Sequence, residues 1–174
     1  MAETLVKITK VSKLFSGVPV LKNVDFDLLA GEVHVVAGEN GAGKSTLIKI
    51  ISGVYPDFDG KMEVFGRETI YHTPLEASHA GISVIHQEMS LIPAMDVVDN
   101  IFLGRERRRP GWRFDRSAEE ARTRELLARL NLDLNLQTPV EEFPMTVRQR
   151  IEIAKALAFD ARIFIMDEPT SAIP

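Results

Sequence analysis

One stretch of nine residues, Gly38-Glu39-Asn40-Gly41-Ala42-Gly43-Lys44-Ser45-Thr46, constrains this chain more than any other. It satisfies G-x-x-x-x-G-K-[ST], a spacing suited to cradling phosphate. Glycines at 38, 41 and 43 let the backbone turn tightly and come close to phosphate oxygens. Backbone N–H groups then converge as an anion nest. The free N–H groups at the start of a following helix add positive potential. Lys44 supplies a full charge for the terminal phosphates. Ser45 offers a hydroxyl to Mg²⁺, which prefers hard oxygen ligands. The flanks agree: residues 32–37 read as a short buried strand and 47–51 as helix. A glycine turn that merely caps a helix would have no need of the Lys44-Ser45 pair.

The 174 residues are enough for one domain with its own core. With 45% hydrophobic and 26% charged residues, the composition is that of a soluble globular protein. The absence of cysteine excludes disulfides and thiolate metal sites. The histidines at 34, 72, 79 and 86 lack ligand spacing. The N-terminus has no apolar run of signal-peptide length, and no stretch approaches the roughly 18–20 apolar residues that span a bilayer. The expectation is a soluble, cytoplasmic chain whose link to a membrane comes through a partner. A net charge of −4 and a pI near 5.6 speak against nucleic-acid binding. The basic cluster Arg105-Glu106-Arg107-Arg108-Arg109, with Arg113 and Arg116, reads as a solvated surface loop beside Pro110-Gly111. A patch for an acidic partner or lipid headgroups is the sharper alternative.

Alternation predicts strands at residues 5–11 and 24–28, the second followed by a turn at Ala30-Gly31. Asp57-Phe58-Asp59-Gly60 reads as a turn before a strand at 61–65, and 82–85 as a short buried strand. From Glu88 to Ala158 the signals are mostly helical. Ser117-Ala118-Glu119-Glu120 has capping-box spacing, followed by a stripe of Ala121, Leu126, Leu127 and Leu130. Thr146 and Gln149 have the same spacing, followed by Val147, Ile151, Ala154 and Ala158 on one face. Residues 162–166 return to strand, and the strand ends in two acids, Asp167 and Glu168. Asp167 can hold Mg²⁺ through its water shell, and Glu168 can orient or deprotonate a water that attacks the γ-phosphate.

With both halves of such a site in place, the chain resembles the ATP-binding cassette ATPases over almost all of its length. Gly38 to Thr46 looks like their Walker A and Ile163 to Glu168 like Walker B. Gln87 falls at the Q-loop glutamine. Phe15, in Lys13-Leu14-Phe15-Ser16-Gly17, falls where an aromatic ring stacks on adenine. The resemblance implies an α/β P-loop NTPase fold: a RecA-like core with an antiparallel β subdomain, plus an inserted helical subdomain. The ATP-binding core would comprise residues 1–88 and 159–174, and the helical signature subdomain 89–158. It implies ATP and Mg²⁺ as cofactors and these roles: Lys44, Gln87 and Glu168 in catalysis, and Ser45, Gln87 and Asp167 around Mg²⁺. Phe15 and Gly38 through Thr46 would hold the nucleotide.

Glu39-Asn40 inside the loop, Ile85-His86-Gln87-Glu88, Val98 to Glu106 and Glu152 to Leu157 are similar to the sugar-importer branch. That implies transmembrane permease subunits, a second ATP-binding cassette closing head to tail and, indirectly, a periplasmic sugar-binding protein. Nucleic acid is not expected as a partner. The implied location is peripheral, on the cytoplasmic face of the inner membrane. Two departures stand out. The signature Leu-Ser-Gly-Gly-Gln is replaced by Phe143-Pro144-Met145-Thr146-Val147, so Pro144 stands at the serine position. The chain also ends at Pro174, before a strand expected between the two nucleotide-binding strands, which suggests C-terminal truncation. The second hypothesis is therefore a remnant that binds ATP without turning it over. No Asn-Lys-x-Asp motif supports a GTPase.

Overall fold

The computed structural model describes residues 3–39, 41–85, 89–107, 114–159 and 161–166. They fall into two compact units, residues 1–83 and 84–174.

The first unit is rich in strands. β1 (Thr4–Phe15) and β2 (Val18–Leu29) pair antiparallel as a long hairpin. Its turn is Ser16-Gly17, with φ of 49° and 81°. Two left-handed residues in succession match the strands' right-handed twist, the type I′ geometry. Both strands run further than the alternation alone suggests, because the turn sets their register. β3 (Asp59–Val64) pairs with β1, and the short β4 (Arg67–Glu68) with β3, giving the order β2-β1-β3-β4. Val6, Ile8, Val11, Met62 and Val64 are all buried. Each such aliphatic side chain contributes about 1.5–3 kcal/mol relative to exposure.

Gly60 belongs to β3 rather than to a turn, which corrects the reading of residues 57–60. It lies against a break in register of β1, where Lys10 is itself left-handed and donates its N–H to Asp25 Oδ1 at 2.9 Å. Gly60 has φ +100°, and an added Cβ would stand 2.5 Å from the Lys10 carbonyl oxygen and 2.7 Å from that of Thr9. Those neighbours are backbone and cannot swing away. Gly60→Ala is expected to cost about 2–4 kcal/mol, from left-handed strain plus overpacking. Gly66→Ala, at φ +73° with no atom within 4 Å, carries only the strain, about 1–2 kcal/mol. Urea unfolding of both variants checks this; equal losses would refute the backbone-contact account.

α1 (Lys44–Ile51) packs on β2, and α2 (Pro74–His79) is capped by Thr73, whose hydroxyl accepts from the Glu76 N–H. Residues 32–37 do not form the buried strand expected of them. Val33 is 91% and Val35 78% exposed, and no described strand pairs with the segment. An extended run without a ladder partner leaves its amides to water and its apolar side chains uncovered.

The second unit is mainly helical. α3 (Val97–Phe102), α4 (Arg116–Arg129) and α5 (Met145–Leu157) pack around Val97, Val98, Ile101, Leu126, Leu127, Val140, Ile151 and Ala154. Strand β5 (Ile82–Ile85) and strand β6 (Ile163–Met166), both at expected positions, form a two-stranded sheet. Neither expected capping box forms. α4 starts two residues earlier and is capped by Asp115, which accepts from the Ala118 N–H at 3.2 Å. Ser117 bonds to that carboxylate instead. Ala121 is exposed, and the buried stripe is Glu119, Thr123, Leu126 and Leu127. α5 has Pro144 at its N-cap and no side-chain cap, while its inward face carries Ile151 and Ala154 as expected.

Candidate functional site

The phosphate loop leaves β2 after residues 32–37 and feeds α1. Gly41 and Gly43 have φ of 84° and 90°, and the Ala42 N–H closes a turn on the Glu39 carbonyl at 3.1 Å. Gly43 is buried: an added Cβ would lie 2.5 Å from Leu21 Cδ2 and 3.1 Å from the Val20 carbonyl oxygen. Only glycine can hold that conformation with β2 so close. The helix starts at Lys44 with no side-chain cap and no acidic residue in its first turn. Its leading N–H groups and positive dipole end are left for an outside anion.

Lys44 folds back over this loop. Its Nζ donates to the carbonyls of Gly38 at 2.7 Å and Glu39 at 2.9 Å. Gly38, Glu39, Gly41, Ala42 and Ser45 are exposed, while Lys44 and Thr46 are half-buried. Ser45 therefore presents a hard oxygen donor in the first turn of α1, which suits Mg²⁺ accompanying a triphosphate.

Phe15 sits at the end of the β1–β2 hairpin, 36% exposed, with the Tyr55 ring at its edge at 5.1 Å between centroids. Asn40, Gln87, Asp167 and Glu168 lie outside the described residues. Gln87 follows β5 by two residues and Asp167 follows β6 directly, and those two strands are neighbours in one sheet. Of the basic cluster, Arg105, Arg107 and Arg116 are described: Arg105 lies over the Phe159 ring at 4.5 Å, Arg107 over Phe102 at 5.8 Å, and Arg116 pairs with Asp96 and Asp99. At the altered signature, Met145 is 51% exposed and Arg148 Nε donates to the Phe143 carbonyl at 2.7 Å.

Sequence reasoning missed several buried polar groups, Lys13, Glu152 and Asn100 among them. Lys13 is 4% exposed although it is a strand lysine. Glu152 accepts from Ser90 Oγ at 2.6 Å, with Lys155 Nζ on the same hydroxyl at 3.1 Å. Asn100 is fully buried. None follows a local motif; alternation on β1 was the single available hint, for Lys13.

A glycine loop of this form opening a helix, in a unit with an antiparallel sheet and in a chain whose other unit is mainly helical, defines a nucleotide-binding cassette. The ABC transporter family model matches residues 21–171, and the chain belongs to that family. Among its relatives is a ribose import ATP-binding protein, RbsA 1, of Rubrobacter xylanophilus. It is 48% identical over 169 residues, covering 97% of this chain and 34% of the relative. Another is ribose import ATP-binding protein RbsA 2 of Streptomyces avermitilis, 47% identical over 94% of this chain and 32% of the relative. The chain thus spans about one third of the length of the curated relatives it matches. In fold it is similar to the ADP conformation of an ATP-binding cassette of an ABC transporter, with a TM-score of 0.85 at 23% identity, over 98% of this chain and 71% of that one. CbiO1 of Clostridium perfringens gives 0.84 at 21% identity, over 99% of this chain and 68% of that one. The fold is that of an ABC ATPase cassette, a mixed α/β P-loop NTPase.

Proposed function

We propose that this chain is the Mg-ATP-binding and hydrolysing cassette of a sugar importer. The observation that carries the reading is the phosphate loop: left-handed Gly41 and Gly43 feed an uncapped helix, with Lys44 held across the loop carbonyls. The relatives named as ribose import ATP-binding proteins support the transport class. The nucleotide-binding residues are Phe15 and Gly38 through Thr46. Ser45, Gln87 and Asp167 surround the Mg²⁺ that enters with the substrate, and the cation neutralises charge developing on the phosphates. Glu168 takes the proton of the attacking water. Residues 1–88 and 159–174 form the ATP-binding core, and 89–158 the helical subdomain. Transmembrane permease subunits and a second cassette are the direct partners, a periplasmic sugar-binding protein the indirect one, and the location is the cytoplasmic membrane face. No described helix is long and apolar enough to cross a membrane.

A second reading, ATP binding without turnover, is favoured by one observation. Pro144 is the N-cap of α5 and supplies neither hydroxyl nor N–H. Glu168→Gln separates the two readings. Under the first, it leaves Mg-ATP affinity within about twofold and lowers turnover by roughly 10²–10⁴-fold, the range of a lost general base. A wild-type chain that binds Mg-ATP but shows no hydrolysis above that variant supports the second.

A further inference from the structure

We propose that Lys13, tethered by Asp57, is a positioning residue for a nucleotide-base platform made by Phe15 together with Tyr55. The assignment rests on the nucleotide reading above and adds to it the groups that set the base pocket.

A lysine on a strand normally snorkels into water. Lys13 does not; its side chain is 4% exposed, while its ion-pair partner Asp57 is 83% exposed. The ammonium donates to the Asp57 carbonyl and carboxylate, both at 2.5 Å. That bond holds the Asp57 carboxyl below the usual carboxylate range. The same ammonium lies 5.1 Å from the Phe15 ring centroid and 5.6 Å from that of Tyr55. The two rings meet edge to face at an interplanar angle of 67°. Lys49 approaches Tyr55 as well, at 5.5 Å. One buried cation thus fixes both rings, and a buried ammonium is costly unless so satisfied.

The location gives this cluster a purpose. Phe15 pairs with Val18 across the hairpin. Three residues further along β2, Leu21 touches Gly43 of the phosphate loop. At about 3.3 Å per residue, Val18, the pairing partner of Phe15, stands roughly 10 Å along β2 from the residue that meets the loop. A ribose and its first phosphate bridge such a gap. Tyr55 is placed from the other side, since its N–H bonds to the Lys49 carbonyl at the end of α1. The platform is therefore tied to the loop through both β2 and α1. A cation on one face of a ring also withdraws electron density from the opposite face, which favours stacking with an electron-rich purine.

The test compares two ligands that differ in having a base: Mg-ATP and Mg-tripolyphosphate. Lys13→Met keeps the apolar stem, and its lost partner Asp57 remains solvated, so folding is preserved. It is expected to weaken Mg-ATP binding roughly three- to tenfold, the size of one cation–π or aromatic contact, with tripolyphosphate affinity unchanged. Tyr55→Leu probes the platform independently and is expected to show the same base-dependent loss. Lys13→Arg, which keeps the charge, is expected to restore most of the affinity. Equal loss for both ligands, or no loss for Mg-ATP, overturns the assignment. A wild-type chain that binds tripolyphosphate but gains nothing from the base also overturns it, while leaving the phosphate loop intact. Failure to bind either ligand refutes the nucleotide reading itself.

Discussion

Lys44→Met is expected to weaken Mg-ATP binding by roughly 10- to 100-fold, the value of a charge-assisted hydrogen bond lost at a charged ligand. The ammonium carries three donors. Two are committed to the carbonyls of Gly38 and Glu39, which keeps the group over the mouth of the loop. The third, with the full charge, is left over for a phosphate under the proposed reading. Methionine preserves the length of the stem and removes only the cation. The carbonyls it leaves belong to exposed residues and are free to bond with water, so stability is expected to stay within about 0.5 kcal/mol, as for an ordinary surface substitution. Equilibrium titration with Mg-ATP and urea unfolding give the two readouts. Affinity within twofold of wild type would sink the phosphate-loop assignment. A matched fall in stability would show that Lys44 serves the fold instead.

The largest effect on stability is expected at Asn100, for which Asn100→Ala should cost about 3–5 kcal/mol. Asn100 is wholly buried on α3. Its Oδ1 accepts from the Ile92 N–H at 2.6 Å. Its Nδ2 donates to the carbonyls of Ile92, Met95 and Asp96 at 3.0, 3.1 and 3.0 Å. One amide thus closes the segment before the helix, where irregular backbone has no ladder to pair with. Truncation strands several buried backbone groups, each worth about 1–3 kcal/mol when unpaired. Asn100→Asp should be no milder, since a carboxylate cannot donate to three carbonyls and would be a buried charge facing them. Denaturant unfolding followed by far-UV circular dichroism measures both. A loss below about 1 kcal/mol for Asn100→Ala would show that the segment holds its shape by packing alone.

How far the sequence could be read varied with the range of the forces involved. The phosphate loop was legible because its chemistry is local: Gly41 and Gly43 occupy left-handed backbone, and Lys44 opens the helix as its spacing requires. Strands at β1, β3, β5 and β6 were legible from alternation and short apolar runs. Helix starts were less so. Ser117 and Thr146 both had capping-box spacing, yet Asp115 and Pro144 took the caps. Several nearby residues could have accepted the same N–H groups, and the path of the incoming chain selected among them. Residues 32–37 had the apolar content of a buried strand, but burial needs a neighbour, and no described strand supplies one.

The sequence by itself determined the phosphate-loop motif and family membership, since each is read from short motifs whose residues lie within a few positions of one another. Tertiary structure alone decided that Lys13 would be buried against two rings and bound to Asp57, forty-four residues away. It also decided that Ser90 would meet Glu152 and that Gly60 would press on the backbone of β1. A buried polar group is stable only where distant segments bring its partner, and no spacing along the chain specifies that meeting.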